Sequence, residues 1–135
     1  MASEFTLSVV APDRLVLEEP IHSVVMPGTN GYFGALRGHE PTISSLKPGY
    51  IEYEDAHNQR HYIAVSGGFA EITGNKVSVL ADSAERATEI DLAKAEAELE
   101  RAREALRGGD SAMTRQEAIA ELERATNRIN VARMR

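Results

Sequence analysis

The sequence predicts an α+β protein: an N-terminal antiparallel β-sandwich of about ten strands, followed by a C-terminal antiparallel hairpin of two helices. Three observations carry this. The first is a break in composition near residue 85. All seven aromatic residues (Phe5, Tyr32, Phe33, Tyr50, Tyr53, Tyr62 and Phe69), all five prolines and eight of the ten glycines precede it. The remaining 51 residues are mainly Ala, Glu, Arg and Leu, interrupted by Gly108-Gly109. Such a shift separates a turn-rich β region from helices. The second observation is a period of two between turn signals in the first part, and the third is a 3-4 spacing of apolar residues in the second. The expected domains are 1–85 and 86–135.

The strands follow in order. Phe5, Leu7 and Val9 alternate with Thr6, Ser8 and Val10 before Pro12-Asp13 turns the chain. Leu15-Val16-Leu17 and Ile21 through Met26 read as further strands, closed by Pro27-Gly28. Ile51 and Tyr53 alternate with Glu52 and Glu54, Asp55 to Gln59 form a hairpin loop, and Tyr62 to Ser66 return from it. Phe69 to Thr73, a Gly74-Asn75 turn and Val77 to Ala81 make another hairpin. Many short strands at this spacing must bury two inner faces, which a sandwich or flattened barrel does.

In the second part, Leu92, Ala95, Leu99, Ala102 and Leu106 form one stripe of a helix. After Gly108-Gly109-Asp110-Ser111, Thr114 is the expected N-cap, with Glu117 as its capping-box partner. Ile119, Leu122, Thr126 and Ile129 make the expected stripe of a second helix, which so short a loop folds back on the first. The expected seam has about six large side chains, Leu92, Leu99, Leu106, Ile119, Leu122 and Ile129, with alanine at half of it contributing little apolar area, so burial falls short of the cost of ordering the helices. The hairpin is therefore expected to depend on docking to the β domain, a partner or a ligand, and to serve as a conformational switch.

Composition excludes several classes of function. The chain has 135 residues, 42% hydrophobic and 27% charged, enough to bury a core. No stretch approaches the ~20 apolar residues of a membrane span, and Met1-Ala2-Ser3-Glu4 opens no secretory signal. Absence of cysteine excludes disulfides, thiolate metal sites and thiol catalysis. A net charge of −6 and a pI of about 5.2 argue against nucleic acid as the main partner. The expectation is a soluble intracellular protein, with its helical end locally basic: from Arg101 onward there are eight arginines against five acids.

Candidate chemistry is sparse. Gly28, Gly31 and Gly34 do not match a dinucleotide fingerprint and read as turn glycines. Arg37-Gly38-His39-Glu40-Pro41 is a polar loop suited to partner contact. Ser66-Gly67-Gly68 lacks a nucleophile elbow, and no Ser/His/Asp set assembles. His22, His39, His57 and His61 read as solvated loop histidines, with no metal site among them, and Glu18-Glu19 and Glu54-Asp55 as solvated charges beside turns. The helical cations are more informative. If the hairpin turns near 108–113, Lys94 faces Arg128 and Arg101 faces the stretch with Arg124, so four cations line one side. Either an anion sits among them, or Glu96, Glu98, Glu104, Glu117 and Glu121 neutralise them as ordinary pairs; spacing alone favours the second.

These residues resemble, over essentially the whole chain, the epsilon subunit family of F-type ATP synthases. The resemblance lies in an ordered set: a strand then Ala11-Pro12-Asp13; Met26-Pro27-Gly28, Gly31-Tyr32-Phe33-Gly34, Leu36 and Gly38-His39-Glu40-Pro41; Leu46-Lys47-Pro48-Gly49; Gly67-Gly68-Phe69-Ala70-Glu71; and Val77 through Asp82 with Ala84-Glu85. It implies a non-catalytic rotor subunit at the cytoplasmic face of a bacterial plasma membrane, peripheral, with the chloroplast thylakoid the lesser alternative. The sandwich would bind the gamma subunit and the c-ring, with Gly28, Gly31, Tyr32, Phe33, Arg37, His39 and Glu40 as contact residues. The helices would lie folded or extend along gamma to the alpha and beta subunits and block ATP hydrolysis. Arg115, Arg124, Arg128, Arg133 and Arg135 would meet acidic segments of beta. No cofactor is required, but some members bind ATP in the folded hairpin, which implies a regulatory site of Glu85, Ile90, Asp91, Lys94, Arg101, Arg124 and Arg128. Departures from the family pattern are Lys94 where arginine is expected, Ala35 where a larger aliphatic residue is usual, and Glu40. The alternative reading is a stand-alone sandwich module whose hairpin recruits an unrelated partner.

Overall fold

The computed structural model describes residues 3–108 and 112–134. Gly109, Asp110 and Ser111 of the expected break at 108–111, and the cation Arg135, lie outside the described residues. The chain forms two compact units, residues 1–86 and 87–135.

The first unit is built from nine strands: β1 (Phe5–Ala11), β2 (Arg14–Gly28), β3 (Gly31–Ala35), β4 (Thr42–Leu46), β5 (Gly49–Asp55), β6 (Arg60–Val65), β7 (Gly68–Ile72), β8 (Lys76–Ala81) and β9 (Ala84–Arg86). They run in the order β1-β8-β7-β4-β2-β5-β6-β9, with β3 also on β2. β2 organises the unit. Its first half pairs with β1 and its second with β3 along the same edge, while β5 occupies the other edge. Side chains alternating inward from every layer, among them Leu7, Val9, Ile21, Val24, Met26, Ile51, Tyr53, Ile63, Ile72, Val77 and Val79, form one core. Burial, with Glu19 second, pushes the Tyr53 hydroxyl well above its ordinary value.

Two expectations need correction here. The sheet is not wholly antiparallel: β1 pairs with β2 antiparallel and with β8 in parallel, Leu7 lying beside Val77. Parity explains this. β1, β8, β7, β4 and β2 close a ring of five, and five strands around a ring cannot all alternate in direction. And Leu15 to Met26 is not two strands but one continuous strand of fifteen residues. Pro20 is accommodated within it opposite Thr6, and Glu18-Glu19 stand mid-strand opposite Ser8 and Leu7, not beside a turn.

The second unit holds a 3-10 turn (Ala87–Glu89), α1 (Leu92–Leu106) and α2 (Arg115–Ala132). Asp91 caps α1, its Oδ1 accepting the Lys94 N–H at 3.1 Å. Thr114 Oγ1 accepts the Glu117 N–H at 3.1 Å and Glu117 accepts back from Thr114, so the expected capping box is present. The helices pair as an antiparallel hairpin. Its seam is alanine: Ala95 and Ala102 on α1, and Ala118 and Ala125 on α2, are all but fully buried. The expected α2 stripe is therefore misplaced. Ile119 is 38% exposed and Thr126 faces solvent, whereas Ala118, Glu121, Ala125 and Ile129 are buried. Alanines spaced seven apart let two helix backbones come close, and the larger leucines are pushed to the flanks, where Leu92, Leu99, Leu106 and Leu122 are half-buried. No described helix is long and apolar enough to cross a membrane.

Candidate functional site

The first unit offers a docking surface that strand register creates. Leu15 pairs with Val10, Val10 with Leu80, Leu80 with Phe69, and Phe69 with Ser45. Directly paired residues share a face, so these side chains stand in one row across five strands, about 19 Å at ~4.8 Å per strand. Leu15, Leu80 and Phe69 are each more than half exposed, and Ile43, two residues along β4 from Ser45, is 74% exposed. Large apolar groups gathered on an outer face mark an interaction surface. Sequence reasoning passed over this row. Its signal was available: Phe69 and Leu80 are large apolar residues on the phase opposite Ala70-Ile72 and Val77-Val79.

The glycine-bearing segment is built mostly for shape. Gly28 and Gly31 pair across the tight turn between β2 and β3. Tyr32 is exposed, its hydroxyl accepting the Tyr50 N–H at 3.2 Å and its ring centroid 4.7 Å from that of Tyr50. Desolvation raises the Tyr32 hydroxyl pKa. Lys47 Nζ lies 5.9 Å from the same ring. Gly49 is required here: a Cβ would stand 2.5 Å from the Tyr32 hydroxyl and 2.8 Å from Pro27 Cβ. Phe33 turns inward against the core, while Arg37 and Glu40 point outward. His39 Nδ1 donates to the Glu40 carbonyl at 2.8 Å, and Gly38 N–H ties the loop to Gly74 O at 2.7 Å.

Two further histidines are not the solvated bystanders expected. His61 Nε2 bonds Asp55 Oδ2 at 2.7 Å and its ring stacks on Tyr53. His22 lies between Glu4 and Glu54, 3.5 Å from each, and contacts Asn58 Oδ1 at 3.2 Å. Asp55 Oδ1 also accepts the His57 and Gln59 N–H groups, and this set, the Gln59 bond foremost, holds the Asp55 pKa down to about 2.

In the second unit, Arg101 and Arg124 line an open groove of about 700 Å³ together with Glu104, Met113, Glu117 and Glu121. Arg101 Nη2 donates to Glu121 Oε1 at 2.5 Å, the partner position that a fold-back near 108–113 predicts. Further along, Arg128 Nη1 donates to Glu98 Oε1 at 2.8 Å. Of the four expected cations, two are thus held by carboxylates of the facing helix, as spacing favoured. Lys94 is exposed beyond the N-cap it helps to close, Ile90 is buried, and Asp91 caps α1. Glu85 belongs to β9 of the first unit, paired with Ala64.

A sandwich with an exposed apolar row, joined to an alanine-seamed helix pair with a charged groove, has the build of a subunit that works in a larger assembly. Comparison with known proteins makes this specific. Residues 4–87 match the family model described as ATP synthase, Delta/Epsilon chain, beta-sandwich domain, and residues 88–133 match its long alpha-helix domain. The chain is 45% identical over 133 residues to the ATP synthase epsilon chain of Desulfitobacterium hafniense, covering 98% of this chain and 99% of that one. It is 42% identical over 131 residues to the epsilon chain of Nitratidesulfovibrio vulgaris, covering 97% of each. A chain of the Euglena gracilis mitochondrial ATP synthase, solved with its c-ring, superposes with a TM-score of 0.80 at 27% identity, covering 100% of this chain and 84% of that one. The chain belongs to the ATP synthase delta/epsilon family, as an epsilon-type, non-catalytic subunit of the central stalk.

Proposed function

We propose that this subunit attaches to the gamma subunit through the apolar row of Leu15, Val10, Leu80 and Phe69, and to the c-ring through the loop bearing Tyr32, Arg37, His39 and Glu40. The observation that carries this is the row itself: four apolar side chains in cross-strand register on an outer face, where a monomer has no use for them. The subunit sits peripherally at the cytoplasmic face of a bacterial membrane.

The helices restrain ATP hydrolysis by reaching the alpha and beta subunits. An alanine seam supports this reading, because little apolar area is lost when such a helix pair separates. Arg115, Arg124, Arg128 and Arg133 supply charge for acidic segments of beta. ATP is the regulatory ligand of the folded hairpin, its phosphates met by Lys94, Arg101, Arg124 and Arg128. Lysine at 94 keeps a positive charge but lacks the bidentate fork of arginine, which lowers affinity.

The test is ATP hydrolysis by the assembled synthase carrying the subunit truncated after Arg86. The expected outcome is faster hydrolysis with rotational coupling retained. An unchanged hydrolysis rate removes the inhibitory role and leaves the attachment role standing.

A further inference from the structure

The ion pair in the groove bears on how this hairpin responds to nucleotide, an inference that rests on the reading of ATP as its ligand. Glu121 is a carboxylate set among the alanines of the seam, only 8% exposed. Its Oε1 is held by Arg101, whose own side chain is 64% exposed. The groove walls carry three carboxylates, Glu104, Glu117 and Glu121, against two guanidiniums, Arg101 and Arg124. As it stands, the groove has a net charge of −1 and repels a polyphosphate.

We propose that Glu121 is an internal rival of the nucleotide for Arg101, which makes it the affinity-setting residue of this site. A phosphate that takes the Arg101 guanidinium strips a nearly buried carboxylate of its partner, and an unpaired buried charge is strongly disfavoured. The same pair bridges α1 and α2 and so holds the hairpin closed without any ligand. The Arg128–Glu98 bridge does likewise further along the helices. In this chain, closure is supplied largely from within, and nucleotide adds to it only by displacing Glu121.

The test is titration calorimetry of the full chain with ATP in low salt, on wild type, Glu121→Gln, Glu104→Gln and Arg101→Gln/Glu121→Gln. Glutamine keeps the shape and the acceptor oxygen while removing the charge. Glu121→Ala, which adds one more alanine to the seam and suits a helix, serves as a second variant should Gln disturb folding. The expected result is about tenfold tighter ATP binding by Glu121→Gln and less than threefold by Glu104→Gln, which removes an equal charge from the same groove. The double variant is expected to lose the gain. Equal tightening by the Glu121 and Glu104 variants would mean a general field effect and overturn the competition. So would a Glu121→Gln affinity equal to wild type, with ATP binding itself left intact. Absence of heat from every variant at millimolar ATP overturns the nucleotide reading and the competition together.

Discussion

Replacing Phe69 by threonine tests the docking row at its largest side chain. A phenylalanine buries roughly 150–250 Å² when fully covered. With 57% of Phe69 exposed, a partner lying on the row covers about 85–140 Å² of it. At ~25 cal/mol per Å², that contact contributes about 2–3.5 kcal/mol to association. Threonine recovers part of this through its methyl group, so the dissociation constant for the gamma subunit is expected to rise about 20- to 200-fold. Stability of the free subunit is expected to change by no more than about 0.5 kcal/mol, because the ring faces outward and threonine suits a strand. Calorimetry with purified gamma gives the first quantity and thermal unfolding the second. A folded Phe69→Thr subunit that binds gamma as tightly as wild type refutes the assignment of the row. A variant that loses several kcal/mol of stability instead refutes the claim that the ring lies outside the core.

Two further predictions concern the first unit. Gly68 has φ +130°, and a Cβ there would meet the Leu80 carbonyl oxygen and come within 2.8 Å of the Ala81 Cα. Both obstacles are backbone, so Gly68→Ala is expected to cost roughly 2–6 kcal/mol from strain and overpacking together and to lower Tm by at least ~10 °C; a fall below ~5 °C contradicts the geometry. Asp55, with its pKa depressed to about 2, stabilises the fold above its unfolded value near 4, and that contribution is lost as pH falls from about 4 through about 2. Asp55→Asn is expected to flatten thermal stability across that window, and an unaltered pH slope contradicts the turn network.

What was legible in the sequence follows from where side chains point. β1 and the β5–β6 hairpin were readable because their apolar residues alternate in phase with burial, the β7–β8 hairpin from its Gly74-Asn75 turn, and the capping box from Thr114 with Glu117 three residues on. β4 was not. In Thr42-Ile43-Ser44-Ser45-Leu46 the isoleucine faces outward at 74% exposure, so the hydrophobic phase contradicts the burial phase. β3 is rich in glycine and reads as turns, although it pairs with β2 from Val24 to Gly28. On α2 the stripe was drawn through the largest residues, when the contact chose the smallest. Arg101 and Arg124, expected along one side of the hairpin, both line the groove, but the burial of Glu121 beside Arg101 is set by the seam, which spacing does not encode. The outward phase of Phe69 and Leu80 was readable locally, but their alignment with Leu15 and Val10 depends on register across strands distant in sequence.

The parallel pairing of β1 with β8 has a consequence for biosynthesis. Thr6 to Val10 lie beside Lys76 to Leu80, so the ring cannot close until some eighty residues have left the ribosome. Until then β1 has β2 along one edge, and its other edge stays open to stray chains. Such distant partnerships fold slowly, in milliseconds to seconds, whereas helix pairs form far faster. Thus the end of the chain made last assembles soon after it emerges, and the sheet made first waits for its own eighth strand.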